Sequence, residues 1–114
     1  MAQGRIDLQP ALSIAASTDQ EVRFAGRVPG GAKSGLIVVT ITNPASAGSL
    51  NIVTSPDLNV DASLWKSIGS VTTLTANGVQ TGTITGMADY IRWTVTSMTG
   101  GPLRFSVVVY AFDA

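Results

Sequence analysis

Apolar and polar side chains alternate along much of this chain, and Gly, Pro or Asn separate the alternating segments at short intervals. In residues 89–97, for example, Ile91, Trp93 and Val95 fall on one side and polar residues on the other. Alternation with a period of two predicts half-buried β-strands, and this spacing of turn residues is typical of an all-β sandwich or barrel. Residues that favour helix surfaces are scarce, since Glu occurs once and Lys twice.

The pattern predicts about eight strands with short connections, which is the arrangement of an all-β, single-domain antiparallel β-sandwich, jelly-roll-like or immunoglobulin-like. Residues 1–12 are predicted to form an N-terminal arm or edge strand, and residues 13–114 the β-sandwich domain. Residues 20–26 are predicted to be a strand, and Asn77-Gly78 predicts a hairpin turn between residues 71–76 and 79–85. The expected core residues are Phe24, Ile37, Val39, Ile41, Ile52, Trp65, Ile68, Ile91, Trp93, Val95, Phe105, Val107 and Val109.

Two strands are apolar on both faces, namely residues 36–42 (LIVVTIT) and residues 103–112 (LRFSVVVYAF). A strand in an isolated sandwich shows one face to water, so the second apolar face needs a cover, which the N-terminal arm or another subunit could supply. We favour another subunit. Arg outnumbers Lys, as is typical of subunit contacts. The candidate contact residues are Val108, Tyr110, Phe112, Ile6, Leu8 and Arg92.

Composition narrows the candidate functions. The 114 residues fit one domain. Because Cys and His are absent, disulfides, thiol nucleophiles and Ser-His-Asp catalysis are excluded. The net charge is zero, which gives no electrostatic reason to expect nucleic acid or an anionic membrane as a partner. No segment approaches the roughly 18 apolar residues of a membrane span. The first residues lack the apolar run of a signal peptide, so we expect action inside a cell or after lysis.

Two patterns could carry chemistry, and each has a simpler interpretation. Asp57, Asn59 and Asp61 have the spacing that opens an EF-hand calcium loop, but Ala62 and Ile68 replace the required Gly and Glu. A polar loop with Asx turns is the simpler interpretation. The seven acidic residues show no arrangement suited to glycoside hydrolysis, so neither an enzyme nor a catalytic residue is expected. With the calcium pattern incomplete, no metal site is expected, and no cofactor site is expected either.

The aromatic residues leave open a carbohydrate-binding β-sandwich module, because such modules stack sugars on exposed rings. Trp65, Trp93, Tyr90 and Tyr110 could form the platform. Strand parity instead places both tryptophans in the core and leaves only the two tyrosines exposed.

Several short motifs in about the last two-thirds of the chain resemble small all-β virion accessory proteins, of the head-decoration kind, that bacteriophage and prophage structural genes encode. The motifs are residues 55–57 (SPD), 64–70 (LWKSIGS), 73–78 (TLTANG), 89–93 (DYIRW), 96–101 (TSMTGG) and 107–109 (VVV). The resemblance implies a virion component without catalytic residues, located in the virion and assembled in the host cytoplasm. Its implied partners are further copies of the chain, as a homo-oligomer such as a trimer, and the major capsid or another virion protein.

The sequence therefore leads to the hypothesis of a non-enzymatic structural protein that self-associates and docks on a larger assembly. Its N-terminal residues 2–10 could add to a neighbour's sheet. A carbohydrate-binding module is the alternative.

Overall fold

The computed structural model describes residues 3–30, 32–61 and 64–112. Within these residues the chain forms nine strands, and the 3-10 helix Val22–Phe24 lies between β2 and β3. The strands are β1 (Gln3–Ile14), β2 (Thr18–Asp19), β3 (Gly26–Arg27), β4 (Ser34–Asn43), β5 (Ala47–Ser55), β6 (Lys66–Val71), β7 (Gly78–Thr85), β8 (Tyr90–Thr99) and β9 (Leu103–Phe112).

The strands form two antiparallel sheets wound as a jelly roll. The four-stranded sheet has the order β1-β9-β4-β7, and the five-stranded sheet has the order β2-β8-β5-β6, with β3 also paired to β8. If β2 and β3 count as one interrupted edge strand, the pairs are nested: β1 with β9, β2/β3 with β8, β4 with β7, and β5 with β6. A long hairpin rolled up in this way is a jelly roll, so the predicted fold class is confirmed.

The core lies between the sheets because the alternating strands turn their apolar residues inward. Ile37, Val39 and Ile41 of β4 are at most 2% exposed. Trp93 of β8 meets Phe105 of β9 edge to face, with ring centroids 5.1 Å apart. This contact joins the centres of the two sheets, and edge-to-face packing is a preferred geometry for aromatic pairs.

Three of the predicted core residues lie elsewhere. Phe24 is 57% exposed, so its placement in the core is wrong. Ile68 is half-buried and packs against the core from outside. Trp65 is buried, but it is not part of the main core cluster.

The predicted strand at residues 20–26 is also wrong. Pairing with β8 occurs only at β2 and β3, and between them the chain leaves the sheet as the 3-10 helix. The backbone and side chain of buried Gln20 both bind Trp93, which anchors the start of this excursion. The apolar side chains of the excursion therefore do not follow strand parity.

The predicted hairpin at Asn77-Gly78 does not form. Strand β6 ends at Val71 and pairs with β5, whereas β7 begins at Gly78 and pairs with β4. Residues 72–77 instead cross between the sheets. Leu74 is fully buried and its carbonyl oxygen accepts a hydrogen bond from Ala45 N–H, so tertiary packing overrides the local turn signal.

The N-terminal segment forms β1, at the edge of the four-stranded sheet beside β9. The predicted boundary between residues 12 and 13 falls inside this strand. The register against β9 shifts between Asp7 and Gln9 and again between Gln9 and Leu12. Such β-bulges bend an edge strand and interrupt the ladder that a further strand would need.

Candidate interaction surface and edge groove

The outer side of the four-stranded sheet carries a group of apolar side chains, which we call the outer apolar face: Leu36, Val38, Val108, Tyr110 and Phe112. Val38 lies directly opposite Val108, and Leu36 opposite Tyr110. The first three are half-buried by their sheet neighbours, whereas Tyr110 and Phe112 are 42% and 40% exposed. The described part of the chain supplies no layer over this face, because β1, the candidate cover, lies beside β9 within the same sheet.

Charge is confined to the margin of this face. Strands β4 and β7 contain no charged residue, and the one charged residue of β9, Arg104, is exposed near the start of that strand, at the end away from Tyr110 and Phe112. On β1, Arg5 Nε donates a 2.9 Å hydrogen bond to Asp7 Oδ1, and its guanidinium lies 5.9 Å from the Tyr110 ring centroid. The hydrogen bond and the Coulombic attraction of Asp7 raise the pKa of Arg5 above its usual range. This marginal ion pair leaves the centre of the face uncharged.

A depression of about 430 Å³ lies at one end of the face. It is lined by Gly4, Tyr110, Ala111 and Phe112. Shape and apolarity together allow this end of the sheet to receive a side chain from another molecule.

The predicted contact residues divide into two groups. Val108, Tyr110 and Phe112 lie on the outer apolar face. Ile6 and Leu8 are 9% and 3% exposed and belong to the core, so their side chains are not available on the surface of the folded chain. Arg92 is also buried, at 6% exposure.

Arg92 lies on the outer side of the five-stranded sheet, opposite Val53. Its guanidinium carbon lies 4.8 Å from the Trp65 ring centroid, and Nη1 donates a 2.9 Å hydrogen bond to the carbonyl oxygen of Gln20. Within the described residues, Arg92 Nε and Trp65 Nε1 have no hydrogen-bond acceptor. Trp65 therefore covers a buried cation rather than filling the main core, which corrects its predicted place.

A groove of about 620 Å³ opens where β1 faces β2 and the 3-10 helix, and we call it the edge groove. Leu8, Leu12 and Ile14 of β1 form its apolar floor, and Trp93 lies at its base. Its rim carries Asp7, Asp19, Glu21, Arg23 and the exposed ring of Phe24. Nearly all of its lining comes from residues 7–24, and sequence analysis missed the groove because residues 20–26 were predicted to continue as a strand.

The side chain of Gln20 holds the walls of the edge groove together. Its Nε2 donates to the carbonyl oxygens of Leu8 (2.6 Å) and Phe24 (3.1 Å), while its Oε1 accepts from Trp93 N–H (3.2 Å). The indole Nε1 of Trp93 donates to Gln9 Oε1 at 3.1 Å. Because these bonds tie β1, the 3-10 helix and β8 together, the groove is preformed.

The aromatic platform considered for sugars does not assemble. Trp65 and Trp93 are buried on opposite sides of the five-stranded sheet. Tyr110 lies on the outer apolar face, whereas half-buried Tyr90 lies on β8 of the other sheet. The four rings therefore present no common surface.

The aspartate-rich segment 57–61 is a loop with local turn bonding. Asp57 Oδ1 accepts a 3.0 Å hydrogen bond from Asn59 N–H, which is the Asx turn expected for this composition. Among the described residues, no group of three or more acidic, His or Cys side chains could hold a metal ion. In the same residues no helix has the length and apolarity to span a membrane.

The fold and the surface together define a class: a small jelly roll with an uncharged apolar sheet face and a preformed groove at one edge. Comparison with known proteins found no matching family model, no matching curated protein and no matching solved structure.

Proposed function

We propose that this chain is a non-enzymatic structural protein that self-associates through the outer apolar face and docks on a larger assembly. The observation that carries the proposal is the pairing of Leu36 with Tyr110 and Val38 with Val108 on a face that no other described segment covers. Leaving such a patch in water costs free energy, at about 25 cal/mol per Å² of apolar surface.

A second copy of the chain fits this face in charge and in size. A pairing that brings two such faces together opposes no like charges at its centre, because the five residues of the face are uncharged and Arg104 lies near the start of β9, at the end of the sheet. The outer side of the whole four-stranded sheet, of which the outer apolar face is a part, has a footprint of roughly 600 Å², from strands of about ten residues in four rows, spaced about 4.8 Å apart with a rise of about 3.3 Å per residue. That is near the roughly 800 Å² that each partner contributes to a standard interface.

The virion is the proposed location, and the major capsid protein or another virion protein is the proposed docking partner. Support comes from the resemblance of the last two-thirds of the chain to phage accessory proteins. The jelly roll is also frequent in viral capsid domains, which is an analogy of fold alone. The alternative, a carbohydrate-binding module, would require exposed aromatic rings in one place, and the four candidate rings lie apart.

Sedimentation velocity tests the self-association. The wild-type chain should sediment as a defined multiple of its 11.7 kDa monomer mass. Val38→Lys and Tyr110→Lys should each shift it toward the monomer, because a buried unpaired charge opposes association. Thr96→Lys, at an exposed position of β8 on the other sheet, is the matched control and should leave the mass unchanged. A wild-type monomer, or oligomers that persist in both face variants, would overturn the proposal.

A separate measurement tests the location. An antibody against this chain should detect it in density-gradient-purified particles from the source culture. Its recovery only in the fractions without particles would contradict virion docking while leaving self-association intact.

A further inference from the structure

We infer that Asn77 is a site of spontaneous modification, at which the folded chain converts the side-chain amide into a carboxylate through a cyclic imide formed with Gly78. The Asn77-Gly78 pair predicts a hairpin from sequence, but in the structure it joins the crossing segment of residues 72–77 to β7. Residues 75–79 are all exposed. The pair therefore lies in an open connection, which constrains the backbone less than a strand does.

The reaction needs only water besides the two residues. The backbone nitrogen of Gly78 attacks the side-chain carbonyl carbon of Asn77, and the new C–N bond closes an imide ring. The bond from that carbon to the amide nitrogen breaks, and the nitrogen leaves as ammonia with the proton that Gly78 N–H gives up. Water then opens the imide at either of its two carbonyl groups. The products are aspartate and isoaspartate, in which the main chain runs through the side-chain carbon, and nothing is oxidised or reduced.

The structure leaves both partners of this reaction unobstructed. Asn77 is exposed, and among the described residues its side chain makes no hydrogen bond, so the amide is free to turn toward the main chain. Gly78 has φ +112°, a conformation that favours glycine, and a Cβ built there would meet no atom within 4 Å. The space around the attacking nitrogen is therefore open on the side where any other residue would carry a side chain.

Two of the other asparagines cannot follow the same course in the folded chain. Asn43 precedes Pro44, whose nitrogen has no hydrogen to give up. Asn51 lies within β5, which is paired on both sides, and its side chain donates a hydrogen bond to Thr96 Oγ1 at 3.3 Å. The sheet therefore holds Asn51 in an extended conformation and away from the nitrogen that follows it.

Asn59 is the nearest match to Asn77, because it is also an exposed residue of a loop. The residue that follows it is Val60, which is branched at Cβ and crowds the attacking nitrogen. Its own backbone N–H donates to Asp57 Oδ1 at 3.0 Å, which holds the loop in a turn. Of the four asparagines, only Asn77 therefore combines an exposed amide with a following glycine.

The site lies outside the outer apolar face, so the inference does not depend on the proposed function. Val38 of that face pairs with Thr81, whereas Asn77 precedes Gly78 at the start of β7. The conversion takes the net charge of the chain from zero to −1, because one neutral amide becomes one carboxylate. The new charge lies beside a strand that has no charged residue of its own.

Incubation of the folded chain in mildly alkaline buffer tests the inference, because the attacking nitrogen must lose its proton. A more acidic species should accumulate in anion-exchange chromatography, and peptide mass spectrometry should place the conversion at Asn77. Both aspartate and isoaspartate should be found there, because water opens the imide at either carbonyl group. Aspartate alone would overturn the inference, since direct hydrolysis of the amide, without Gly78, gives only that product.

Two variants separate Asn77 from the chain in general. Asn77→Gln should abolish the acidic species, because the ring that glutamine would have to close is larger and forms less readily. Asn59→Gln, the matched control in the other exposed loop, should keep the wild-type rate. An unchanged rate in Asn77→Gln, or conversion mainly at Asn59, would overturn the inference. A wild-type chain that resists conversion while folded, yet converts at Asn77 in urea, would also overturn it, because the fold would then protect the site.

Discussion

Replacing Gln20 with methionine should destabilise the fold strongly, although the two side chains have similar size. Gln20 is 3% exposed, and its amide makes three hydrogen bonds, to Leu8, Phe24 and Trp93. Each contributes about 1 kcal/mol net, and a buried backbone group left without a partner costs about 1–3 kcal/mol. Because the groove lets water reach some of the backbone groups that would be left without a partner, we expect the free energy of unfolding to fall by about 3 kcal/mol.

Urea unfolding followed by tryptophan fluorescence measures this loss, at one protein concentration for all variants because association adds to apparent stability. A chain of this length is expected to have a total stability of about 6–17 kcal/mol, so the variant should still fold. Gln80→Met is the matched control: Gln80 is half-buried on β7 and makes no side-chain hydrogen bond within the described residues. Its effect should stay below about 0.5 kcal/mol. A Gln20→Met effect below about 1 kcal/mol would refute the idea that this amide ties the groove walls together.

Three further predictions concern packing, the buried cation and pH. Gly69→Ala should cost about 2–3 kcal/mol in urea unfolding, because a Cβ there would overlap Ile84 Cγ2 and a backbone carbonyl oxygen. Gly30→Ala, which meets no atom within 4 Å, should change stability by less than about 1 kcal/mol, and similar effects of the two variants would contradict the packing. Arg92→Lys should lower the free energy of unfolding by about 1–2 kcal/mol, because the compact ammonium cannot keep both the stacking on the Trp65 ring and the Nη1 hydrogen bond. An unchanged urea midpoint would show that the stack contributes nothing. Since the chain has no His, unfolding free energy measured without an affinity tag should vary by less than about 0.5 kcal/mol between pH 6 and 8, and a steeper dependence would reveal another titrating group.

The alternation of apolar and polar side chains predicts the strands well where each face of a strand has a well-defined environment. Strand β9 was predicted with the bounds observed, and the inward residues Ile91, Trp93 and Val95 of β8 were assigned correctly. The apolarity of both faces of β4 and β9 also predicted that apolar side chains would lie outside the core. These properties depend only on the alternation of side chains between the two faces of a strand, and that alternation can be read from the local sequence.

The errors fall where distant contacts outweigh local pattern. Residues 20–26 alternate like a strand, but the amide of Gln20 finds its partners on β1 and β8, and Phe24 is left at the rim of a groove. At Asn77-Gly78 the burial of Leu74 draws the chain across to the other sheet. The edge groove was not predicted because it opens where residues 20–25 leave the sheet, and that excursion is held by the contacts of Gln20 with β1 and β8.

The nested pairing of a jelly roll explains why the two surfaces exist together. Rolling the long hairpin brings β4 and β9 side by side in the centre of one sheet, so the two strands that are apolar on both faces form one continuous outer apolar face. Along one edge of the sandwich β6 and β7 lie close together, while the opposite edge is lined by the bulged β1 and the interrupted β2/β3. The opening at that edge is the edge groove. The charged residues, which make up 12% of the chain, are therefore distributed unevenly. Strands β4 and β7 have none, and the groove rim has three carboxylates and an arginine, so the two surfaces differ in their chemistry.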